Sequence, residues 1–233
     1  MASQEFEGLF TKHGAASFDK QIYMDAMLGK SGWAFDLASG VLAFRRPHEG
    51  DLQLNVQVLG TESADSRTWL WAWANPSNIP EALLRSASEL KSLGAAAGVP
   101  ELTTPELPIT PQVNPQRIAM VACGVLRAGC VFRAGYPRGA VHLLIKDPRY
   151  KRSVTRPIPR ILRIFPMFLS DHFVADQRAA FVSYLQFYRL DVREDDRRIT
   201  AMASASSRAL VGPSAPQQLV AEFDAHNRLI ALA

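Results

Sequence analysis

Cysteine is scarce in this sequence, since Cys123 and Cys130 are the only two among 233 residues. They lie seven positions apart in an apolar pattern that predicts one helix, in which the two thiols would sit two turns apart. That separation is too long for a disulfide, and no third cysteine completes a thiolate set. We therefore interpret both as small buried side chains and predict neither a disulfide nor a zinc site.

Long apolar runs are also absent. The most apolar stretch, residues 113–135, is interrupted by Arg117, Arg127 and Arg133, so it falls short of the roughly 18 apolar residues that a membrane-spanning helix needs. The first twenty residues carry Glu5 and Glu7 and have no basic start followed by an apolar core, unlike a secretory signal. We expect a soluble cytoplasmic protein with no membrane partner.

The sequence shows no familiar catalytic, cofactor or metal signature. It has no Gly-x-Ser-x-Gly elbow, and Gly29-Lys30-Ser31 lacks the upstream glycines of a phosphate loop. We predict no catalytic residue, no cofactor and no metal site, and we lean towards a function without catalysis. An enzyme whose residues assemble from distant segments stays an alternative. The five histidines are scattered and form no pair at metal-ligand spacing: His13, His48, His142, His172 and His226.

Charge is present but divided unequally along the chain. Residues 1–116 hold 8 Lys and Arg against 13 Asp and Glu, a net charge of −5. Residues 117–233 hold 18 against 9, a net charge of +9, and the two together give the overall +4. The basic character therefore belongs to the second half of the chain.

Residues 1–147 alternate between helical and strand patterns, which predicts an N-terminal α+β unit. One or two short helices, with a break near His13-Gly14, are expected before two antiparallel hairpins. Five prolines in 99–116 predict an extended connector, because proline removes amide donors and disfavours helix before it. The expected elements are helices at 5–28, from 81 to Gly94 or Gly98, and at 115–133, and strands at 33–37, 41–44, 52–58, 68–75 and 140–147.

Residues 148–233 predict a basic, proline-rich connector at 148–168 and a smaller C-terminal α+β unit at 169–233. Asp176 is a candidate N-cap for a helix from Gln177, and strands are expected at 199–205, 218–224 and 228–233, the last two forming a closing hairpin. The fold class is thus α+β: an antiparallel β-meander packed by helices, followed by a helix plus β-hairpin unit. One continuous domain is the alternative to separate units.

The string TWLWAWAN is the most distinctive motif in the chain. Strand alternation places Trp69, Trp71 and Trp73 on one face. We interpret the three indoles as core side chains packed against helices, because tryptophan usually buries most of its large apolar area. A stacking platform for bases or sugars is the alternative.

TWLWAWAN, followed by a helix beginning PEAL, then by PELTTPEL and GYPRGAVHLL, resembles an uncharacterised bacterial family, a domain of unknown function. The resemblance covers roughly residues 29–147. It implies simple cytoplasmic bacterial proteins and assigns no chemistry to any residue. Orphan α+β proteins of this kind are often immunity partners of secreted toxins, which is an analogy of context and not of a site.

A concentrated run of positive charge precedes and enters the second unit, with Asp147 as its one acid. Guanidinium groups match carboxylate and phosphate, so an acidic protein surface or a nucleic acid could bind, although the interspersed prolines match no standard DNA-reading helix. A solvated basic loop is the simplest alternative. The predicted partner-binding residues, which we call the basic segment, are Arg149, Lys151, Arg152, Arg156, Arg160 and Arg163.

These observations favour a non-catalytic, protein-binding function. Its most specific form is an immunity protein, or antitoxin, that neutralises a secreted bacterial toxin by covering it, for which a complementary surface is enough. A module that binds nucleic acid or another anionic ligand through the basic segment is the second hypothesis. The sequence does not identify the toxin or the oligomeric state.

Overall fold

The computed structural model describes residues 1–46, 50–203 and 218–233. It is an α+β protein whose described part holds six α-helices and two antiparallel sheets. Two compact units are formed: residues 1–6 with 20–152, and residues 7–19 with 153–233. His48 and the last two residues of the strand expected at 199–205 lie outside the described residues.

The first unit is built around a seven-stranded antiparallel sheet. Its long central strand β3 pairs with β2 over residues 52–55, with β7 over residues 56–63 and with β4 over residues 60–63. The strands are β1 (Gly32–Asp36), β2 (Val41–Arg45), β3 (Leu52–Ser63), β4 (Thr68–Trp71), β5 (Glu106–Pro108), β6 (Cys130–Tyr136) and β7 (Gly139–Ile145). The helices are α1 (Gln4–Leu28), which runs through both units, α2 (Arg85–Ala97), α3 (Pro100–Thr103) and α4 (Pro115–Val125).

Alternating apolar residues give this sheet its core. Leu54, Val56 and Val58 are at most 2% exposed, as the strand pattern predicts. The alternation then breaks at a β-bulge, where Leu59 is inserted and the register against β7 shifts between Val58 and Gly60. Gly60 is required there, because a Cβ atom would lie 2.6 Å from the Leu70 carbonyl oxygen.

The second unit places two helices with a four-stranded antiparallel sheet in the order β11-β10-β9-β8. Its core is aromatic: Phe10, Phe165, Phe168, Phe181 and Phe223 are at most 1% exposed. The elements are α5 (Pro157–Asp171), α6 (Gln177–Phe187), β8 (Asp191–Glu194), β9 (Arg198–Met202), β10 (Gln218–Phe223) and β11 (Leu229–Leu232). Asp176 caps α6 as predicted, since its side chain accepts a hydrogen bond from the Ala179 amide.

Both predicted hairpins and the closing hairpin are confirmed, whereas several helix boundaries were wrong. The N-terminal segment is a single 25-residue helix and does not break at Gly14. Gly14 is there for packing, because a Cβ atom would lie 2.8 Å from the Phe168 ring. The helix expected at 115–133 ends at Val125, and residues 130–136 form β6. Cys123 and Cys130 are therefore not in one helix; both are buried free thiols.

The two proline-rich segments contain more regular structure than predicted. Residues 99–116 hold α3 and β5 instead of being extended throughout. More than half of the connector expected at 148–168 belongs to α5. Pro157 and Pro159 fall in its first turn, where a helix has no use for their missing amide donors. The helix then continues because its apolar side chains are buried along one face: Ile158, Ile161, Ile164, Phe165 and Phe168.

Candidate interaction surface

The TWLWAWAN motif is core over its first half only. Trp69 and Trp71 are fully buried and pack edge to face, with ring centroids 5.3 Å apart. The Trp71 indole N–H donates to the Glu101 carbonyl oxygen over 3.0 Å. β4 ends at Trp71, so Trp73 lies in a 3₁₀ turn, half-buried beneath Lys91. Burial of the first two indoles removes the stacking-platform alternative for them, and the strand predicted at 68–75 was too long.

The basic segment starts at a fixed anchor directly after β7. The Asp147 carboxylate is buried and accepts hydrogen bonds from the Asn55 amide over 2.8 Å and from the Arg149 Nε over 2.9 Å. The hydrogen bond from the Arg149 side chain holds the pKa of Asp147 well below its usual range. The side chain of Arg149 is 56% exposed, so its position is set by Asp147 while much of its surface faces solvent.

The next part of the segment also belongs to the first unit. Tyr150 is buried against Gly129, where a Cβ atom would lie 2.6 Å from the tyrosine ring, and burial raises the pKa of its hydroxyl. Arg152 lies over the Tyr23 ring at 5.8 Å from the centroid and is half-buried. Lys151 between them is exposed. A buried tyrosine thus fixes the backbone on which the lysine is presented.

In the second unit the segment enters α5, and its three arginines have different surroundings. Arg156 directly precedes the helix and is exposed, as is Arg163 two turns later. Arg160 instead has only 16% of its side chain exposed and makes an ion pair with the fully buried carboxylate of Asp19. The charge of Arg160 is therefore largely neutralised by Asp19 within the second unit, and little of the side chain contacts solvent.

Asp19 is the centre of a buried polar network that the sequence analysis missed. One carboxylate oxygen accepts from the Arg160 Nε, and the other accepts from the hydroxyls of Tyr184, at 2.8 Å, and Tyr188. The network links α1, α5 and α6 of the second unit. Asp19 and Arg160 are 141 positions apart in sequence, and helical periodicity gives no signal for such a pairing.

A second missed cluster lies on the first sheet. His142 Nε2 is 3.0 Å from one carboxylate oxygen of Glu62, and the Arg133 Nε donates to the other over 2.8 Å. The Trp69 ring stacks edge to face on His142 at 5.1 Å. The hydrogen bond with His142, with a further contribution from Arg133, lowers the pKa of Glu62 to about 2. A carboxylate so stabilised is a weak general base near neutral pH, so the cluster is best suited to holding the sheet together.

Other chemistry is sparse within the described ranges. They contain no group of three or more His, Cys, Asp or Glu side chains arranged to hold a metal ion. Burial raises the pKa of the Cys130 thiol well above its ordinary value, which disfavours the reactive thiolate. No helix in the described part of the chain combines the length and apolar character needed to cross a bilayer.

The chain belongs to a family of unknown function, DUF6882, whose model matches residues 7–148. The match begins in α1 and ends directly after Asp147, so it takes in the buried indoles and the Glu62 cluster, whereas the basic segment from Arg149 onwards lies beyond it. No curated protein and no solved structure matches the chain. Family membership therefore agrees with the resemblance to a family of unknown function. The family description assigns no activity to the chain.

Proposed function

We propose that this protein acts without catalysis, by binding an acidic surface of a partner protein through the basic segment. The observation that carries the proposal is a set of exposed cations with no opposing charge: Lys151, Arg156 and Arg163 have no carboxylate partner among the described residues. Asp147, the acid just before the segment, is buried and already paired with Arg149.

Exposed charges of this kind contribute little to folding, so stability gives no reason for their concentration. They do create a local positive potential, which attracts an acidic surface and raises the rate of encounter. In the first unit the Asp147 carboxylate and the buried Tyr150 hold the backbone beside Lys151. In the second unit the Arg160 ion pair with Asp19 holds the helix that carries Arg163. A preorganised backbone loses less conformational entropy on binding than a mobile loop does.

The most specific form of the proposal is an immunity protein of the bacterial cytoplasm that neutralises a secreted toxin. A basic surface can cover an acidic surface at the active site of such a toxin through complementary charge. A partner of this chemistry would be blocked by stoichiometric binding, and the inhibitor needs no reactive group of its own.

Association kinetics with a candidate toxin encoded beside this gene test the proposal. The test variant carries Lys151→Glu, Arg156→Glu and Arg163→Glu, and a matched control carries Arg85→Glu, Arg193→Glu and Arg228→Glu, three exposed cations elsewhere with the same change in net charge. We expect the test variant to associate about tenfold more slowly at low salt, with a smaller effect near physiological and higher ionic strength, and the control to change less. Equal rates for test and control would contradict the proposal.

The same variants distinguish a protein partner from a nucleic-acid partner. Binding of mixed-sequence RNA is measured between about 50 and 200 mM salt, the range over which phosphate contacts lose most of their affinity. We expect weak binding that is no different in the test variant and the control. Tight RNA binding that is lost in the test variant alone would replace the protein partner by a nucleic acid.

A further inference from the structure

The strand β1 is an open edge of the first sheet. Within the described chain it pairs with β2 alone, and it lies at the end of the strand order. All five of its residues are exposed or half-exposed, including Trp33 at 42%. An edge strand with unpaired amide and carbonyl groups is a template for another strand.

The other edge strands carry features that oppose such pairing, and β1 does not. Among the described residues β6 also pairs on one side only, with β7, but Cys130, Val131 and Ala134 along it are buried, whereas no residue of β1 is. β5 ends in Pro108 and follows Pro105, and proline cannot donate to a new strand. β8 has three charged residues out of four, and β11 is four residues long beside a register irregularity at Glu222 and Phe223. β1, with the sequence GWAFD, keeps a regular register with β2 over all five positions and has its one charge at its end.

The residue pattern of β1 is complementary to itself. In an antiparallel pair of two β1 strands centred on Ala34, Trp33 of each copy lies opposite Phe35 of the other, which gives two aromatic cross-strand pairs. The small Ala34 side chain meets its own counterpart at the two-fold axis. Charge agrees with this direction, because Lys30 precedes the strand and Asp36 ends it, so antiparallel pairing brings the acidic end of each copy towards the basic end of the other.

Asp36 is fixed as a charged group at that end. Its carboxylate accepts hydrogen bonds from the Ser39 hydroxyl over 2.6 Å and the Ala38 amide over 2.9 Å. These bonds, the one from Ser39 foremost, lower its pKa below the ordinary value. Parallel pairing would instead place the two Asp36 carboxylates side by side. The repulsion between these like charges would disfavour that arrangement.

From this geometry we infer that a second copy of this chain docks on β1, forming a two-fold dimer through antiparallel β1 pairing across Ala34. Five residues span roughly 17 Å, so the contact is smaller than a standard stable interface. The dimer is therefore weak, with a dissociation constant on the order of 0.1 mM. This surface is independent of the basic segment.

Charges placed at Ala34 test the two-fold axis, since a residue on the axis meets itself. Sedimentation velocity is recorded from about 10 µM to 1 mM for the wild type and for Ala34→Asp, Ala34→Lys and the neutral, matched Ala34→Asn. We expect the wild type and Ala34→Asn to self-associate and each charged variant alone to stay monomeric. Mixing Ala34→Asp with Ala34→Lys is expected to restore a dimer, because the opposite charges then face each other.

The mixing experiment separates a lost interface from a lost fold, because a variant in which β1 is unfolded cannot form a dimer with the oppositely charged variant. Thermal unfolding of each variant confirms that it is folded. A wild type that stays monomeric at about 1 mM overturns the inference and leaves the edge for a strand of another protein. A wild type that associates while Ala34→Asp associates equally also overturns it, because the interface then lies elsewhere.

Discussion

Single residues of the first unit differ widely in how much they stabilise the fold, and the tryptophans are the clearest case. Trp69 and Trp71 are fully buried, so their replacement by alanine leaves a large cavity. We expect Trp69→Ala and Trp71→Ala each to lower the free energy of unfolding by about 3–5 kcal/mol. Urea denaturation measures this, with the half-buried Trp73→Ala as the control that is expected to cost clearly less. Wild-type stability in either buried variant would contradict the core assignment.

Asp19 is the residue on which the polar network of the second unit depends. Replacing it with asparagine removes the carboxylate charge that pairs with the largely buried Arg160 side chain. We expect Asp19→Asn to cost about 3 kcal/mol, measured by thermal or urea unfolding. The control is Glu194→Gln, which removes a half-exposed carboxylate from the ion pair with Arg178 and is expected to cost about 1 kcal/mol or less. Equal effects of the two substitutions would show that burial of Asp19 does not matter.

Glu62 makes stability depend on pH in a defined window. Its pKa falls from 4.5 to about 2 on folding, so the folded state favours the charged form. The resulting stabilisation is fully present above pH 4.5 and is lost as the pH falls towards 2, to a total of about 1–3 kcal/mol because solvent partly screens the ion pair with Arg133. We expect Glu62→Gln to be less stable than the wild type at pH 6 and to approach it in stability near pH 2. A difference between the two proteins that stays constant over this range would contradict the assignment.

At the scale of elements, α5 is notable for a proline in its interior. Pro166 has no amide N–H to donate to the carbonyl of Leu162 one turn earlier, and its ring crowds that carbonyl. Because Pro166 is exposed, alanine there leaves the core packing unchanged. We expect Pro166→Ala to raise the free energy of unfolding by about 1–3 kcal/mol. Pro157→Ala in the first turn is the control and should change stability little; a loss of stability in Pro166→Ala would be the contrary result.

Elements were predictable from the sequence where local patterns dominate. The alternation in β3, the cap at Asp176 and the turns of the hairpins rest on neighbours in sequence, and the structure confirms them. The prolines led to a wrong prediction of a connector where α5 lies. The effect of a proline on helix stability depends on whether it falls in the first turn and on which face of the helix is buried. Gly14 misled the prediction for α1, because the contact with Phe168 that requires a glycine comes from a distant segment.

The clusters of charged residues could not be predicted for a related reason. Glu62 and His142 are 80 positions apart, and they meet only because the bulge between Val58 and Gly60 shifts the register of β3 against β7. Strand alternation read from sequence contains no such shift. The basic segment was visible because its charges lie close together in sequence, but only the structure separates the exposed Arg156 and Arg163 from the paired Arg160.

On the scale of the whole molecule, the family match ends where the basic segment begins. The family match ends at residue 148, and the exposed cations of the basic segment follow directly. The part of the chain that the family model matches holds the indole core and the Glu62 cluster. The proposed partner contact is thus made by a segment outside the matched region, so members of the family need not share it.

Stoichiometry is the most direct test of the central proposal, that this protein acts by binding and not by turnover. A candidate toxin encoded beside this gene is titrated with the purified protein, and the remaining toxin activity is measured together with size-exclusion chromatography of the mixture. We expect activity to fall linearly until about one equivalent has been added, with a complex that co-elutes if the affinity is nanomolar. Complete protection at a small molar fraction, with no complex on the column, would contradict the proposal and establish an enzymatic function instead.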